Sequence, residues 1–295
     1  MARARSILKR VKAVRSTRTI TKTMEMIATS RFKRAHNRVV AARPYTDRMS
    51  AVVADLVEAL RGKDIAHPLL AADDKVKRQA LLVLTGNRGL CGAYNANVLR
   101  TAVARYEELR AAGSEVLLYV VGKRGHHALK FRGYRIEETY TSFDYQPQFQ
   151  AVGELADMMM AQFEDRKIAS LDVAYTQFIS AGRQTPGVTR VLPLEVAPAT
   201  AKTAPAVRPT YEFVPSTAEV LSALLPAAVR LKLYQCFLDA AVSEQIARMT
   251  SMRAATDNAD EVIHDLTVRY NRLRQSQITT ELAEIMGGRA GLEEG

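Results

Sequence analysis

The residues Gly86-Asn87-Arg88-Gly89-Leu90-Cys91-Gly92 have the composition of a phosphate-binding turn. They follow the apolar run Ala80-Leu81-Leu82-Val83-Leu84 and precede a stretch of helical character, where a nucleotide-binding α/β protein keeps its phosphate loop. The chemistry is incomplete. The spacing is neither G-x-G-x-x-G nor that of a Walker loop, there is no Lys-Ser/Thr pair to reach phosphate and magnesium, and no acidic residue closes a second strand to hold a ribose. The reading is a tight turn that needs glycine, with no bound cofactor. His126 and His127 open a basic stretch and are expected on a solvated helix end. Cys91 and Cys236 stand 145 positions apart without a CxxC pair, so both are expected as reduced packing residues rather than zinc ligands or a disulfide. No Ser-His-Asp order, paired carboxylate or metal spacing points to a catalytic site.

Charge is the next chemical signal, and it is uneven. Residues 1–63 hold sixteen Lys or Arg against four acids, Glu25, Asp47, Asp55 and Glu58, whereas the remaining 232 residues hold twenty-six against twenty-seven. A basic arm on a neutral body implies an acidic partner: nucleic acid, anionic lipid or an acidic protein surface. Nucleic acid fits poorly, because the basic residues go round the helical period instead of covering one face. Only Phe32 and Tyr45 offer aromatic stacking in the arm. A helical nucleic-acid-binding protein and a metabolic α/β enzyme with helical oligomerisation arms both remain as alternatives at this point.

These features need elements to carry them. From Ala227 to Met286 there is no Gly or Pro, and a helix of that length would be a rod of roughly 90 Å. Val242, Ile246, Met249, Met252, Thr256, Ala259, Ile263, Leu266, Tyr270 and Leu273 recur along it with a mean step near 3.5, the heptad of a left-handed coiled coil. A partner helix is required, and the basic arm supplies it. Residues 1–61 contain no Gly and only Pro44, with a stripe at Ile7, Val11, Val14, Ile20, Met24, Ile27, Ala35, Val39, Ala42, Thr46, Met49, Val52, Leu56 and Leu60. Thr17, Thr19, Thr21 and Thr23 crowd the stripe, so this helix depends on docking. Breakers at Arg61-Gly62-Lys63 and His67-Pro68 close it.

Between the two helices the pattern becomes short apolar runs divided by glycine. Strands are expected at Gln79–Thr85, Glu115–Val121, Leu171–Ile179 and Thr189–Val196, and helices at Ala93–Ala111, Lys123–Phe131 and Gly153–Arg166. That alternation predicts a parallel-dominated sheet covered on both faces. Five prolines between Ala197 and Pro226 mark a linker. The expected fold is mixed α/β: a long antiparallel coiled coil of the N- and C-terminal helices plus a central Rossmann-like α/β domain. Its divisions are an N-terminal coiled-coil helix at 1–62, a central domain with linkers at 63–210 and a C-terminal coiled-coil helix at 211–295. No run of eighteen apolar residues is present, so no membrane-spanning helix is expected. The Arg-rich start has the flavour of a mitochondrial transit peptide, but the same residues carry the helical stripe.

Four segments together resemble the gamma subunit of F-type ATP synthases. They are Ile20-Thr21-Lys22-Thr23-Met24-Glu25-Met26-Ile27-Ala28, Arg88-Gly89-Leu90-Cys91-Gly92, Ala254-Ala255-Thr256-Asp257-Asn258-Ala259, and the run from Tyr270 to Leu282. They occur in the family's order; residues 113–210 match only in pattern. The resemblance implies a rotor whose paired helices pass through a ring of alpha and beta subunits while the α/β foot meets the epsilon subunit and the membrane c-ring. Catalysis would belong to the beta subunits, with no direct membrane insertion by this chain. It implies partner contacts at Lys22, Met24, Arg274, Gln275, Thr279 and Glu281. An acidic lever segment of the family's beta subunits would face Arg31, Lys33, Arg34, Arg38 and Arg43. Departures from the family are Asn87 in place of the usual acid, Ala93 in place of a second glycine, and Val214-Pro215 where relatives carry an acid before the proline. The regulatory cysteine insert of chloroplast relatives is absent. The setting implied is a bacterial plasma membrane, peripheral on the cytoplasmic side.

Overall fold

The computed structural model describes residues 2–59, 67–71, 75–194 and 217–293. Its elements in chain order are α1 (Ala2–Ala59), a 3-10 turn (Pro68–Leu70), β1 (Arg78–Leu84), α2 (Tyr94–Ala111), β2 (Glu115–Val121), α3 (Lys123–Phe131), β3 (Glu138–Tyr140), α4 (Phe149–Glu164), β4 (Leu171–Ser180), β5 (Arg183–Leu192) and α5 (Thr217–Glu293). Mixed α/β architecture with two long terminal helices is therefore observed. The chain forms two units, Met1–Ala28 with Arg248–Gly295, and Thr29–Ala247.

In the larger unit the sheet order is β3-β2-β1-β4-β5. β1 pairs in parallel with β2 and β4, β2 in parallel with β3, and β4 antiparallel with β5. Because strand side chains alternate between faces, β1 and β2 feed two cores. Leu81, Val83, Leu118 and Val120 pack with Val98, Leu99, Ala102 and Leu129 of α2 and α3. Leu82, Leu84, Tyr119 and Val121 pack with Val152, Leu155 and Met159 of α4 and with Leu225, Val229 and Leu233 of α5. Each fully buried Leu or Val contributes about 1.5–3 kcal/mol, so this face anchors α5 firmly. A third cluster joins Ala35 and Val39 of α1 to Leu238, Val242 and Ile246 of α5, with Phe178 of β4 between them.

In the smaller unit α1 and α5 run antiparallel. Val11, Thr21, Glu25 and Ala28 are buried on α1, and Arg248, Met252, Thr256 and Ala259 on α5. The α5 seam follows the expected heptad, with Ile263, Leu266 and Tyr270 half-buried beyond it. The α1 seam does not. Ile20 is 57% exposed and Ile27 47%, while the polar neighbours Thr21 and Glu25 turn inward. Keeping the 3.5-residue step from Val11 through Val14 reaches Arg18, Thr21, Glu25 and Ala28; following the apolar residues shifts the face by one position. The same correction holds farther on, where Val53 is buried and Val52 is only half-buried.

Other boundaries differ for physical reasons. β3 was not expected; its three residues are too few to show a period. The fourth expected strand begins six residues earlier, at Arg183, because Pro186 and Gly187 sit inside β5 on the sheet edge, where a missing donor is tolerated. α4 begins at Phe149, one turn before the expected start. α5 begins at Thr217 with Pro226 inside it, and it continues through Gly287-Gly288 to Glu293 instead of stopping at Met286. Pro226 leaves the carbonyl of exposed Ser222 to water, and Pro44 of α1 does the same for exposed Val40. The expected stop at Arg61-Gly62-Lys63, Leu60, Val214-Pro215 and most of the proline-rich linker lie outside the described residues. Part of α5 is apolar enough by composition to cross a bilayer. Leu221, Leu225, Val229, Leu233 and Phe237 of that helix belong to the sheet core.

Candidate functional site

The glycine turn is built by β1 and β2 ending side by side. Thr85 Oγ1 donates to the Val121 carbonyl at 2.7 Å and accepts from the Gly125 N–H at 2.9 Å. The Gly86 N–H is capped by Asn95 Oδ1 at 2.9 Å. Asn87 ties three strands of chain together: its Nδ2 donates to the carbonyls of Thr141 (3.1 Å) and Phe143 (2.9 Å), and its Oδ1 accepts from the Lys123 N–H at 3.1 Å. An aspartate could not donate to those carbonyls, so asparagine has a local structural use here. Gly122 has φ +95°, and a Cβ there would collide with the Thr85 carbonyl oxygen.

What lies over this turn decides its chemistry. A Cβ on Gly86 would sit 2.8 Å from Glu244 Oε1 of α5. Tyr94 Oη donates to the Ala240 carbonyl at 3.1 Å, and Ser243 Oγ donates to the Thr176 carbonyl at 3.3 Å. Helix α5 thus crosses the carboxyl ends of the strands at β1 and β4, the point where the strand order reverses. In doubly wound folds that crevice receives the nucleotide phosphate. Here a carboxylate of the chain's own helix stands beside Gly86, and the Arg124 guanidinium stands beside Gly89. The turn's glycines let a helix approach. Leu90, at φ +61°, is left 61% exposed on its rim.

The other chemical candidates resolve as packing. His126 Nδ1 meets Thr139 Oγ1 at 2.8 Å and its ring lies 5.6 Å from that of exposed His127. Both cysteines are buried thiols outside any disulfide. Burial pushes the Cys236 thiol up to about 12. Among the described residues no three His, Cys, Asp or Glu gather as a metal site. Asp172, buried in β4, is held between Arg105 of α2 and Arg190 of β5 at 2.8 and 2.9 Å.

The expected partner-contact residues fall into three groups. Lys22 and Met24 are half-buried, and Lys22 Nζ donates to Glu25 Oε2 at 3.0 Å. In the second group three arginines turn toward their own unit: the Arg31 guanidinium lies 4.2 Å over the Tyr145 ring, Arg43 Nη2 donates to the Phe178 carbonyl at 3.3 Å, and Arg38 is half-buried near Tyr234. Lys33 and Arg34 are exposed. The third group, Arg274, Gln275, Thr279 and Glu281, is fully on the surface of α5, where Thr279 Oγ1 donates to the Gln275 carbonyl and Gln277 Nε2 to Glu281 Oε1.

Several residues of consequence were not singled out from the sequence. Glu244 acts through its approach to Gly86, which is distant in the sequence. Asp239 of α5 is buried beside Gln235 Nε2 at 2.8 Å, and burial pushes its carboxyl up to about 6. Arg18 pairs with Asp260 and Arg253 with Glu25 across the helix pair; on α1 the seven-residue repeat that carries Arg18 and Glu25 was masked by its apolar neighbours.

Comparison with known proteins agrees with this architecture. A family model described as ATP synthase matches residues 3–292. The ATP synthase gamma chain of Rhodopirellula baltica is 43% identical over 297 residues, covering 99% of this chain and 100% of that one. That of Saccharopolyspora erythraea is 39% identical over 302 residues, covering 98% and 97%. A chain in the cryo-EM structure of the Euglena gracilis mitochondrial ATP synthase OSCP/F1/c-ring assembly superposes with TM-score 0.67 at 17% identity, covering 100% of this chain and 96% of that one, a likeness of fold. With two long helices, a five-stranded sheet whose crevice is filled by one of them, and relatives matching end to end, the chain belongs to the ATP synthase gamma-chain family.

Proposed function

We propose that this chain turns as the central stalk of a membrane-associated F-type ATP synthase, passing torque between a membrane c-ring and a ring of alpha and beta subunits. The observation that carries the reading is the seating of α5: one helix is fixed to the sheet by Leu225, Val229, Leu233, Tyr94 and Ser243, and its later residues pair with α1. A helix anchored at one part and paired at another can transmit twist, because interhelical packing resists sliding more than solvent does.

The chain itself is read as non-catalytic, supported by α5 crossing the strand ends where doubly wound folds receive a nucleotide phosphate. In this reading the divisions 1–62, 63–210 and 211–295 serve as shaft, foot and shaft. Lys33 and Arg34 carry the exposed charge of the basic arm toward acidic surfaces of the ring, and Arg31, Arg38 and Arg43 brace α1 against its own body first. Lys22, Met24, Arg274, Gln275, Thr279 and Glu281 supply the remaining ring contacts. Partners in addition to the ring are an epsilon subunit and the c-ring, with the chain peripheral on the cytoplasmic side of a bacterial plasma membrane. Pulling down the tagged chain from solubilised membranes should bring alpha, beta, epsilon and c subunits identified by mass; recovery of nucleic acid or of the chain alone would reject the reading.

A further inference from the structure

We propose that the cavity at the amino-terminal end of the sheet, walled by Lys77, Gln79, Ser114, Ser170 and Arg190, is a binding site for a phosphate-class oxyanion, free or carried on a lipid headgroup. All of its walls belong to the larger unit, so the site does not depend on the rotor reading.

The cavity has a volume of about 450 Å³ and opens where β1 and β4 begin, beside the turn from α2 into β2 and the end of β5. Two cations line it, Lys77 and Arg190, and no carboxylate does. That balance of charge favours an anion.

Hydrogen-bond accounting gives the same sign, because the backbone acceptors around the cavity are already used. At the end of α2 the carbonyls of Glu108, Arg110 and Leu109 accept from the N–H groups of Ala112 and Gly113 at 3.0 Å and of Ser114 at 3.1 Å. The Lys77 carbonyl accepts from the Glu115 N–H and the Ser170 carbonyl from the Ala80 N–H, both at 2.9 Å. What remains is donors. Ser170 Oγ donates to Gln79 Oε1 at 2.9 Å, and Gln79 Nε2 donates to Ser114 Oγ at 2.8 Å. Since Ser114 Oγ accepts in this chain, its own proton can go to a ligand, as can the second N–H of Gln79 Nε2.

Buried residues hold these donors from behind. Asp172, 1% exposed, takes Arg190 Nε at 2.9 Å and Nη2 at 3.3 Å, which leaves Nη1 for the cavity. Ser170, 4% exposed, fixes the Gln79 amide. An anion can therefore be met by groups already in place, without rearrangement of the walls. The donors come from β1, from the turn before β2 and from β5, three directions that the separate oxygens of a tetrahedral oxyanion can meet and a planar carboxylate cannot.

The test follows the amide resonances of Gly113 and Ser114 in the full-length chain, labelled isotopically at glycine and serine. Inorganic phosphate replaces chloride at constant ionic strength in one arm. In the other, dihexanoyl phosphatidylglycerol below its micelle concentration is compared with dihexanoyl phosphatidylcholine. Saturable shifts of these two amides are expected. Saturation by phosphate alone identifies a free ion as the ligand, and tighter saturation by phosphatidylglycerol identifies a headgroup. Lys77→Glu should weaken binding about tenfold or more, and Ser114→Ala, read at Gly113, should weaken it about tenfold. Lys123→Glu, which reverses an exposed charge at the other end of the strands, should leave binding unchanged. Shifts that fail to saturate in both arms would overturn the proposal. So would parental binding in Lys77→Glu or in Ser114→Ala, which would mean an adventitious ion only.

Discussion

At the residue scale the most informative side chain is Asp239, because its environment sets a sign. Its carboxyl is buried on α5 and accepts from Gln235 Nε2, while among the described residues Gln235 Oε1 is buried without a hydrogen-bond partner. Burial favours the neutral form and outweighs the Gln235 hydrogen bond, which favours the ionised one. With its folded value up to about 6 against an ordinary 3.8, the folded chain holds this proton when the unfolded chain has lost it. Its contribution to stability is therefore greatest below about pH 4 and falls as pH rises to about 6. Asp239→Asn, which imitates the neutral acid, should be more stable than the parent at pH 8 by about 1–3 kcal/mol, with the gap closing toward pH 4. Urea midpoints across that pH range check it; a gap constant with pH would contradict the assignment.

At the scale of elements, the seam of α5 makes a sharp prediction. Ala259 is 7% exposed and lies in the seam of the helix pair. Proline there removes the hydrogen bond to the carbonyl of Ala255 and clashes with it, at a cost of about 3 kcal/mol or more. Ala259→Pro should lower the urea midpoint of the helix pair while leaving the sheet's tyrosine fluorescence transition in place; an unchanged helical midpoint would mean the pair does not form as described. Elements with a clear period were legible from sequence: β2 and α3 were read with the ends they have, and β1, α2 and β4 within one residue. The α1 seam was misread because hydrophobicity pointed to Ile20 and Ile27 while geometry buried Thr21 and Glu25. Prolines and glycines misled too. Pro226 and Gly287 interrupt no helix here, since packing elsewhere along α5 outweighs the local penalty of about 1–3 kcal/mol per residue. From sequence the glycine turn was separated from phosphate chemistry by its missing lysine. That a helix would fill the crevice depended on a contact between residues 86 and 244, which no local pattern encodes.

At the scale of the whole molecule the account makes one demand: work done on one part of the chain must reach its partners at another. A buried anchor for α5 in the sheet core and a buried seam between α1 and α5 are both present. Reconstituting the complex in sealed vesicles and recording ion uptake per ATP hydrolysed tests this most directly. The account predicts that uptake requires this chain, and that Ala259→Pro assembled into the same complex lowers the number of ions moved per ATP. Uptake per ATP equal to that of the parent, with Ala259→Pro in place or with the chain omitted, would contradict it.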